Sequence, residues 1–313
     1  MKLGIVVPCY NEQEVLQETA KRLLELVCRL RAEHKISGDS KIIFADDGSN
    51  DRTWSIIEEL SRTTPEIAGI KLSRNRGHQN ALIAGLFTAD GDALVSIDAD
   101  LQDDINVIAD MVDQYHRGTD IVYGVRKKRE NDSFFKRVTA QTFYKVISLL
   151  GAESVYNHAD YRLMSRRAIE SLKQYRESNL YIRGIVPLIG YKSSIIHYDR
   201  SERFAGESKY PLKRMIGLAL DAVTSFSVVP LRLITLIGFS VFLGTMLISA
   251  WIIWIRLFTD RAVPGWASTV LPLYLIGGIQ ILCIGVLGEY LGKVYSEVKA
   301  RPRYIIEKTA GIP

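Results

Sequence analysis

The sequence predicts an α/β fold, a mostly parallel sheet covered on both faces by helices and continued into a membrane-attached C-terminal part. Three observations predict it. Across the first 125 residues, short β-rich runs alternate with amphipathic helical stretches, the order that builds parallel sheets. The polar clusters of that region fall just after the β-rich runs, where open α/β sheets bind ligands. Beyond residue 230, two long stretches, residues 233–255 and 262–288, carry no charge.

Taken in order, the strand candidates are Leu3–Val7, Lys41–Ala45, Gly69–Leu72, Ala93–Ile97 and Asp120–Tyr123. Helix candidates lie between them, near 12–34, 52–63, 78–90 and 104–117, with apolar positions at helical spacing. After residue 125 the alternation stops. Residues 134–150 and 211–228 each carry apolar residues on one helical face with basic residues nearby. Such helices either lie in a membrane interface or pack on the sheet; for 211–228, which runs into the first uncharged stretch, the interface is the expectation.

Composition narrows the class. The 313 residues are 47% hydrophobic and 24% charged, with a net charge of +5, values that exclude a disordered chain. Cys9, Cys28 and Cys283 are far apart and odd in number. They form neither a disulfide framework nor a thiolate zinc site, and fit a reducing compartment. No nucleic-acid partner is expected.

Either uncharged stretch is long enough for a hydrocarbon core, which takes about 20 helical residues. Basic residues crowd the approach to the first (Arg203, Lys209, Lys213, Arg214, Arg232) and the tail after the second (Lys293, Lys299, Arg301, Arg303, Lys308). The positive-inside rule then places both termini in the cytoplasm. The expected organisation is a cytosolic domain over 1–210, a juxtamembrane interfacial helix over 211–230, two transmembrane helices within 231–290 joined by a short extracytoplasmic loop, and a basic cytosolic tail over 291–313. The glycines Gly277, Gly278, Gly285 and Gly288 would let such helices pack closely in a homo-oligomer.

The chemistry lies in the loops. Asp98-Ala99-Asp100-Leu101-Gln102 follows an apolar run. In extended backbone, Asp98, Asp100 and Gln102 would face one side as hard oxygen ligands suited to Mg²⁺ or Mn²⁺ beside a substrate's phosphates. Asp46-Asp47-Gly48-Ser49 ends another buried run and reads as a base or ribose contact. Arg74-Asn75-Arg76-Gly77 sets cations and a glycine before a helix, a natural anion site. Arg126-Lys127-Lys128-Arg129 is either a solvated face or a contact for anionic lipids. Arg203 through Tyr210 offers cations, Gly206 and Ser208 where a lipid headgroup would arrive. Asp160 is one further carboxylate, which Arg162 either neutralises or leaves available for chemistry.

With these motifs together, the sequence resembles the family 2 glycosyltransferases of GT-A, Rossmann-like fold. More narrowly it is similar to the polyprenyl-phosphate glycosyltransferases, the dolichol-phosphate mannose synthases and the bactoprenol glucosyltransferases of O-antigen modification. The matching residues are Pro8, Tyr10, Asn11 and Glu12, then Asp46-Asp47-Gly48-Ser49 with Asp51 and Thr53. Ser73-Arg74-Asn75 with Gly77, Asp98 through Gln102, and Gly206-Glu207-Ser208-Lys209 complete the set. The two uncharged stretches match the bactoprenol branch best.

The resemblance implies an inverting enzyme that moves one sugar, glucose from UDP-glucose foremost, to undecaprenyl or another polyprenyl phosphate at the cytoplasmic face of a bacterial inner membrane. Pro8, Tyr10, Asn11, Glu12, Asp46, Asp47, Arg74, Asn75 and Gly77 would hold the nucleotide sugar. Asp98, Asp100 and Gln102 would hold the metal, and Arg126, Arg203, Ser208 and Lys209 the acceptor phosphate; Asp98, Asp100 and Asp160 are the catalytic candidates. The QxxRW motif of processive synthases is missing, Gln114-Tyr115-His116-Arg117-Gly118 being the nearest run, so single transfer is expected. Other readings stay open: another sugar, such as mannose or an aminoarabinose derivative, or a non-catalytic scaffold beside a lipid-linked sugar flippase.

Overall fold

Each of the first four β-rich runs is a strand, and a helix follows each of the first three directly. β1 (Leu3–Cys9), α1 (Leu16–Ala32), β2 (Lys41–Asp46), α2 (Thr53–Thr63), β3 (Ile67–Leu72), α3 (His78–Thr88) and β4 (Ala93–Ser96) succeed one another. After the acidic loop come α4 (Val107–His116) and β5 (Ile121–Arg126). The computed structural model describes residues 1–126, 158–177, 182–199 and 266–312, with isolated positions between 234 and 258. Two units divide the chain, the first comprising 1–137, 154–210 and 301–313 and the second 138–153 and 211–300.

In the first unit β1 is buried along its whole length, because helices cover both faces of the sheet. That is why these strands read as continuous apolar runs rather than alternating ones. α1 shows the complementary pattern. Leu16, Ala20, Leu23, Val27 and Leu30 are buried at helical spacing, while Glu18 and Arg22 pair on the outer side.

Three further strands escaped the alternation. β6 (His158–Ser165) inserts between β4 and β5, antiparallel to both. It leads into α5 (Arg166–Lys173), whose first turn is capped by Ser165 Oγ accepting from the Ala168 N–H at 3.3 Å. After α6 (Ile182–Leu188), β7 (Ser193–Tyr198) adds parallel to β5. The tail returns as β8 (Ile306–Ala310), antiparallel to β3. The order is β7-β5-β6-β4-β1-β2-β3-β8. Every strand but β6 and β8 runs the same way, as the pairings require, so the mostly parallel α/β sheet is borne out.

The second unit contains α7 (Trp266–Val298). Among the described residues no helix is long and apolar enough to cross a membrane, so the expected pair of membrane-crossing helices finds no support there. About half of the stretch 233–255 falls outside the described residues. The stretch 262–288 lies largely in α7, which runs on into a polar segment with Glu289, Lys293 and Glu297. Residues 127–157 and 200–233 are also outside the described residues; with them go the helix candidates at 134–150 and 211–228 and the acceptor candidates Arg203, Ser208 and Lys209.

Candidate active site

The chain runs from β1 outward to β2 and β3, then crosses back to place β4 on the other side of β1. Ligands of open α/β sheets bind at this kind of reversal, beyond the carboxyl ends of the strands. Here that point lies between Cys9 at the end of β1 and Asp98 just past β4. Along the same edge β2 delivers Asp46 and Asp47, β3 delivers Arg74, and β5 and β7 deliver Arg126 and Tyr198.

On the β1–β2–β3 side, three loops are knitted together by side chains. Asn11, at φ 54, donates its N–H to Ser49 Oγ at 2.9 Å, and its Oδ1 accepts the Asn50 N–H at 3.0 Å. Asp47 spends both carboxylate oxygens on the next loop, accepting the N–H groups of Arg76 at 2.6 Å and Gly77 at 2.8 Å. Burial pushes its carboxyl up, and those two bonds partly offset the rise. A side chain on Gly48 would meet the Arg74 backbone at 2.6 Å, and Gly48 sits at φ 67, so only glycine lets the loops touch there.

This geometry sorts the nucleotide candidates. Tyr10 is 39% exposed, and Arg74 and Asn75 are exposed on the β3–α3 loop. Pro8 is buried within β1. Asp46 is fully buried, with Oδ1 accepting the Ser49 N–H at 3.1 Å; it shapes its turn and does not face solvent. Glu12 anchors the start of α1, its carbonyl accepting the Val15 and Leu16 N–H groups and its own N–H meeting Thr53 Oγ1 at 2.9 Å.

The acidic loop is not extended. Its residues bend and turn after β4, and Leu101 adopts φ 56, a left-handed conformation costly for a leucine. The picture of Asp98, Asp100 and Gln102 on one face of an extended run is therefore corrected: a turn aims them. Asp100 Oδ1 accepts the Gln102 N–H at 3.2 Å. Three clamps hold the turn from outside. Thr19 Oγ1 donates to the Ala99 carbonyl at 2.8 Å, Tyr161 donates to the Asp104 carbonyl at 2.9 Å, and Tyr198 donates to Asp103 Oδ1 at 2.6 Å. Arg126 joins the last clamp, 3.0 Å from Asp103.

Beside this loop stands a second charged group. Ser96, the last residue of β4, pairs with Arg162 on β6, and its Oγ donates to the Asp160 carbonyl. Arg162, with no exposed surface, donates to Asp160 Oδ1 at 2.7 Å. Arg183 from α6 grips both oxygens, at 3.2 and 3.0 Å. His78 Nε2 lies 3.4 Å from Asp98 and 3.7 Å from Asp160. Burial opposes ionisation of Asp160, but the two arginines outweigh it and hold the carboxyl well below the usual range. Asp98 moves the other way. Although its side chain is 34% exposed, crowding by protein and the nearby carboxylates of Asp160, Asp103 and Asp100 push it up against the pull of His78.

The family model described as glycosyl transferase family 2 matches residues 4–173. The chain belongs to glycosyltransferase family 2. This family 2 glycosyltransferase is 51% identical to a Bacillus subtilis (strain 168) protein named "Uncharacterized glycosyltransferase YkoT", over 97% of this chain and 91% of that one. It is 40% identical to a "Prophage bactoprenol glucosyl transferase homolog" of Escherichia coli (strain K12), over 98% and 99% of the two chains. It is 39% identical to a prophage-derived bactoprenol glucosyl transferase of Shigella flexneri, over 99% and 98%. Among solved structures, glucosyl-3-phosphoglycerate synthase of Mycobacterium tuberculosis superposes over 72% of this chain and 78% of that chain, at 16% identity and a TM-score of 0.46. The mixed α/β sheet fits the GT-A-like fold expected of the family.

Sequence reasoning missed Arg183, His78 and Tyr198 as members of the site. His78 stood in a loop already singled out for its arginines. Arg183 and Tyr198 lie in stretches with no motif, and α6 and the edge strand β7 bring them in.

Proposed function

We propose that this glycosyltransferase moves a single sugar, glucose from UDP-glucose first among candidates, to undecaprenyl or another polyprenyl phosphate, with inversion at the anomeric carbon. The observation that carries the reading is the clamped acidic turn at the sheet's reversal point, with Asp98 and Asp100 beside loops shaped by Asp47 and Gly48. The likeness to bactoprenol glucosyl transferases over nearly the whole chain supports the acceptor class.

Among the described residues no group of three or more His, Cys, Asp or Glu side chains could hold a metal ion. Two carboxylates and the Gln102 amide nevertheless fit Mg²⁺ or Mn²⁺, ions that leave positions for phosphate oxygens and water. The raised carboxyl of Asp98 fits too: burial raises it first and the neighbouring carboxylates second, and a bound cation would favour its charged form. Asp98, Asp100 and Gln102 would hold the ion, and a bound ion supplies positive charge to the departing diphosphate.

The chain's own residues do the rest. Tyr10, Asn11, Glu12, Arg74, Asn75 and Gly77 line the nucleotide side, with Asp46 and Asp47 setting loop shape. Arg126, Arg203, Ser208 and Lys209 are assigned to the acceptor phosphate. That phosphate is already ionised at neutral pH, so no strong general base is required, and Asp160 serves as a charged anchor. A polyprenyl chain stays in its bilayer, so the two uncharged stretches of sequence and the basic residues flanking them are assigned to holding the enzyme at the cytoplasmic face. A homo-oligomer and a flippase that takes the product onward are consistent extensions.

The test is transfer of labelled sugar from a panel of UDP- and GDP-sugars to undecaprenyl phosphate by purified full-length protein in detergent, with Mn²⁺ or Mg²⁺ and with EDTA. Metal-dependent formation of one lipid-linked monosaccharide is the expected result. Failure with every donor, together with no nucleotide binding, would favour a scaffold.

A further inference from the structure

The β3–α3 loop that carries Arg74 and Asn75 has a support on each flank. On one flank Asp47 accepts the Arg76 and Gly77 N–H groups at 2.6 and 2.8 Å. The other flank is held by β8 and the residues before it. The Ile305 carbonyl accepts the Ser73 N–H at 3.0 Å, which carries the β3–β8 pairing on to the root of the loop. Strand alternation seats the tail. Ile305 is 54% exposed, while Tyr304 and Ile306 on either side of it pack against the apolar cluster of Ala45, Ile70, Leu72, Ala81 and Ala84. The register shifts between Lys71 and Leu72, so that Leu72 pairs with Ile306 and Glu307 is passed over, a bulge of the kind found beside functional sites. Arg303 donates to the Tyr175 carbonyl just past α5, and Lys41 Nζ donates to the Gly311 carbonyl at 2.9 Å. Residues 303–312 thus form a strap along the β8 edge of the sheet.

We propose that this strap is part of the donor site: Tyr304 and Ile305 are positioning residues that hold the β3–α3 loop with Arg74 and Asn75 set for the nucleotide sugar. The proposal rests on the assignment of those two residues to the nucleotide. The loop needs such a hold. Ser73, Arg74 and Asn75 are exposed, and Gly77 sits at φ 91 with nothing within 4 Å of an added side chain, so packing does little to confine it. Fixing exposed backbone costs conformational entropy, and a loop fixed before the ligand arrives spares binding that cost. Tyr304 lodges the tail against the cluster, which presents the carbonyl of the next residue to Ser73. By linkage, a ligand held by the loop tightens the tail in turn.

The experiment compares Tyr304→Ala, Tyr304→Phe and Ile312→Ala with the wild type, each as full-length protein in detergent. Ile312 packs against the same cluster, beside Gly311, which lies against Ile67 at the opposite end of β3 from the loop. It therefore controls for lost packing alone. Three quantities are read: the melting temperature, the UDP dissociation constant with Mn²⁺ by calorimetry well below melting, and amide hydrogen exchange across residues 73–77. Tyr304→Ala is expected to weaken UDP about fivefold, the size of one net hydrogen bond, and to speed exchange in the loop. Tyr304→Phe keeps the ring and should restore both. Ile312→Ala should lower the melting temperature and leave both readings of the loop unchanged. In the wild type, saturating UDP should slow exchange across residues 303–306. UDP affinity within twofold of wild type in Tyr304→Ala would overturn the proposal, as would equal weakening in Tyr304→Ala and Ile312→Ala, which would make the tail a source of stability only. If Tyr304→Ala does not fold, Tyr304→Leu decides on the same readings. A wild type that binds no UDP would defeat the nucleotide assignment, and loop exchange in the variants would then decide whether the tail holds the loop.

Discussion

His78 Nε2 stands between Asp160 and Asp98, 3.7 Å from the first and 3.4 Å from the second. The two carboxylates are neighbours with opposite fates. Asp160 is locked ionised by Arg162 and Arg183, whereas crowding raises Asp98.

Asp160 is tested first. Asp160→Asn leaves the Arg162 guanidinium buried without its counter-charge, a change that costs about 3–5 kcal/mol. The variant is expected to melt well below the wild type at pH 7. The sign of the pH dependence follows from the lowered carboxyl. Asp160 contributes stability that is fully present above the ordinary carboxylate range and lost as pH falls through its depressed folded value. Thermal melts from pH 7 down to pH 2 should therefore show wild type and variant converging only toward the acid end. A variant with wild-type melting but no turnover would instead make Asp160 a participant in the reaction.

Asp98 and Asp100 are tested by removal of either ligand or metal. Asp100→Ala is expected to lower the transfer rate on the order of 10³-fold, and EDTA should abolish transfer that Mn²⁺ or Mg²⁺ restores. Equal rates in EDTA and Mn²⁺ would remove the metal from the mechanism.

Much of this site was legible because parallel sheets put their polar loops in fixed places. Four apolar runs followed by polar clusters located β1 to β4 and the edge at which Asp47, Arg74 and Asp98 gather. The later strands were hidden for physical reasons. β6 carries Asp160 and Arg162 among its apolar residues, and a pair that neutralises itself in the interior looks, in sequence, like a solvated turn. β8 is an edge strand whose Glu307, Lys308 and Thr309 are exposed; charges of this kind protect sheet edges and read as a basic tail. The hydrogen bonds of Asp46 and Asp47 were equally out of reach of the sequence: adjacent carboxylates ending a buried strand read as a ligand contact, and the structure adds that they also accept backbone N–H groups of neighbouring loops.

The contact between the β2 and β3 loops gives a third prediction. Gly48→Ala must place a methyl group 2.6 Å from the Arg74 backbone at a residue with φ 67. Strain at such a position costs on the order of 1–3 kcal/mol. The expected outcome is a lower melting temperature together with weaker UDP binding, because Arg74 and Asn75 shift with the loop. Gly118→Ala is a control for the backbone effect alone, since Gly118 also has a positive φ of 83 but nothing within 4 Å of an added side chain. It should lose stability without losing UDP affinity.

The last prediction concerns what holds the acidic turn in its left-handed bend at Leu101. Asp103 is buried, bonded to Tyr198 at 2.6 Å and paired with Arg126 at 3.0 Å. Burial and the adjacent Asp103 push the Tyr198 hydroxyl well up, so it stays a donor across the physiological range. Tyr198→Phe removes that donor and keeps the ring that packs edge-on against Tyr161. A lost hydrogen bond to a charged group costs about 1.5–3 kcal/mol, and if the bond serves to hold the turn, part of that cost is felt where Asp98 and Asp100 are aimed. Mn²⁺ affinity, followed by calorimetry in the presence of UDP, is expected to fall several-fold in Tyr198→Phe. In a double-mutant cycle with Asp103→Asn the two losses should be far from additive, because both act through one bond. Additive losses would mean that Tyr198 and Asp103 support the turn separately.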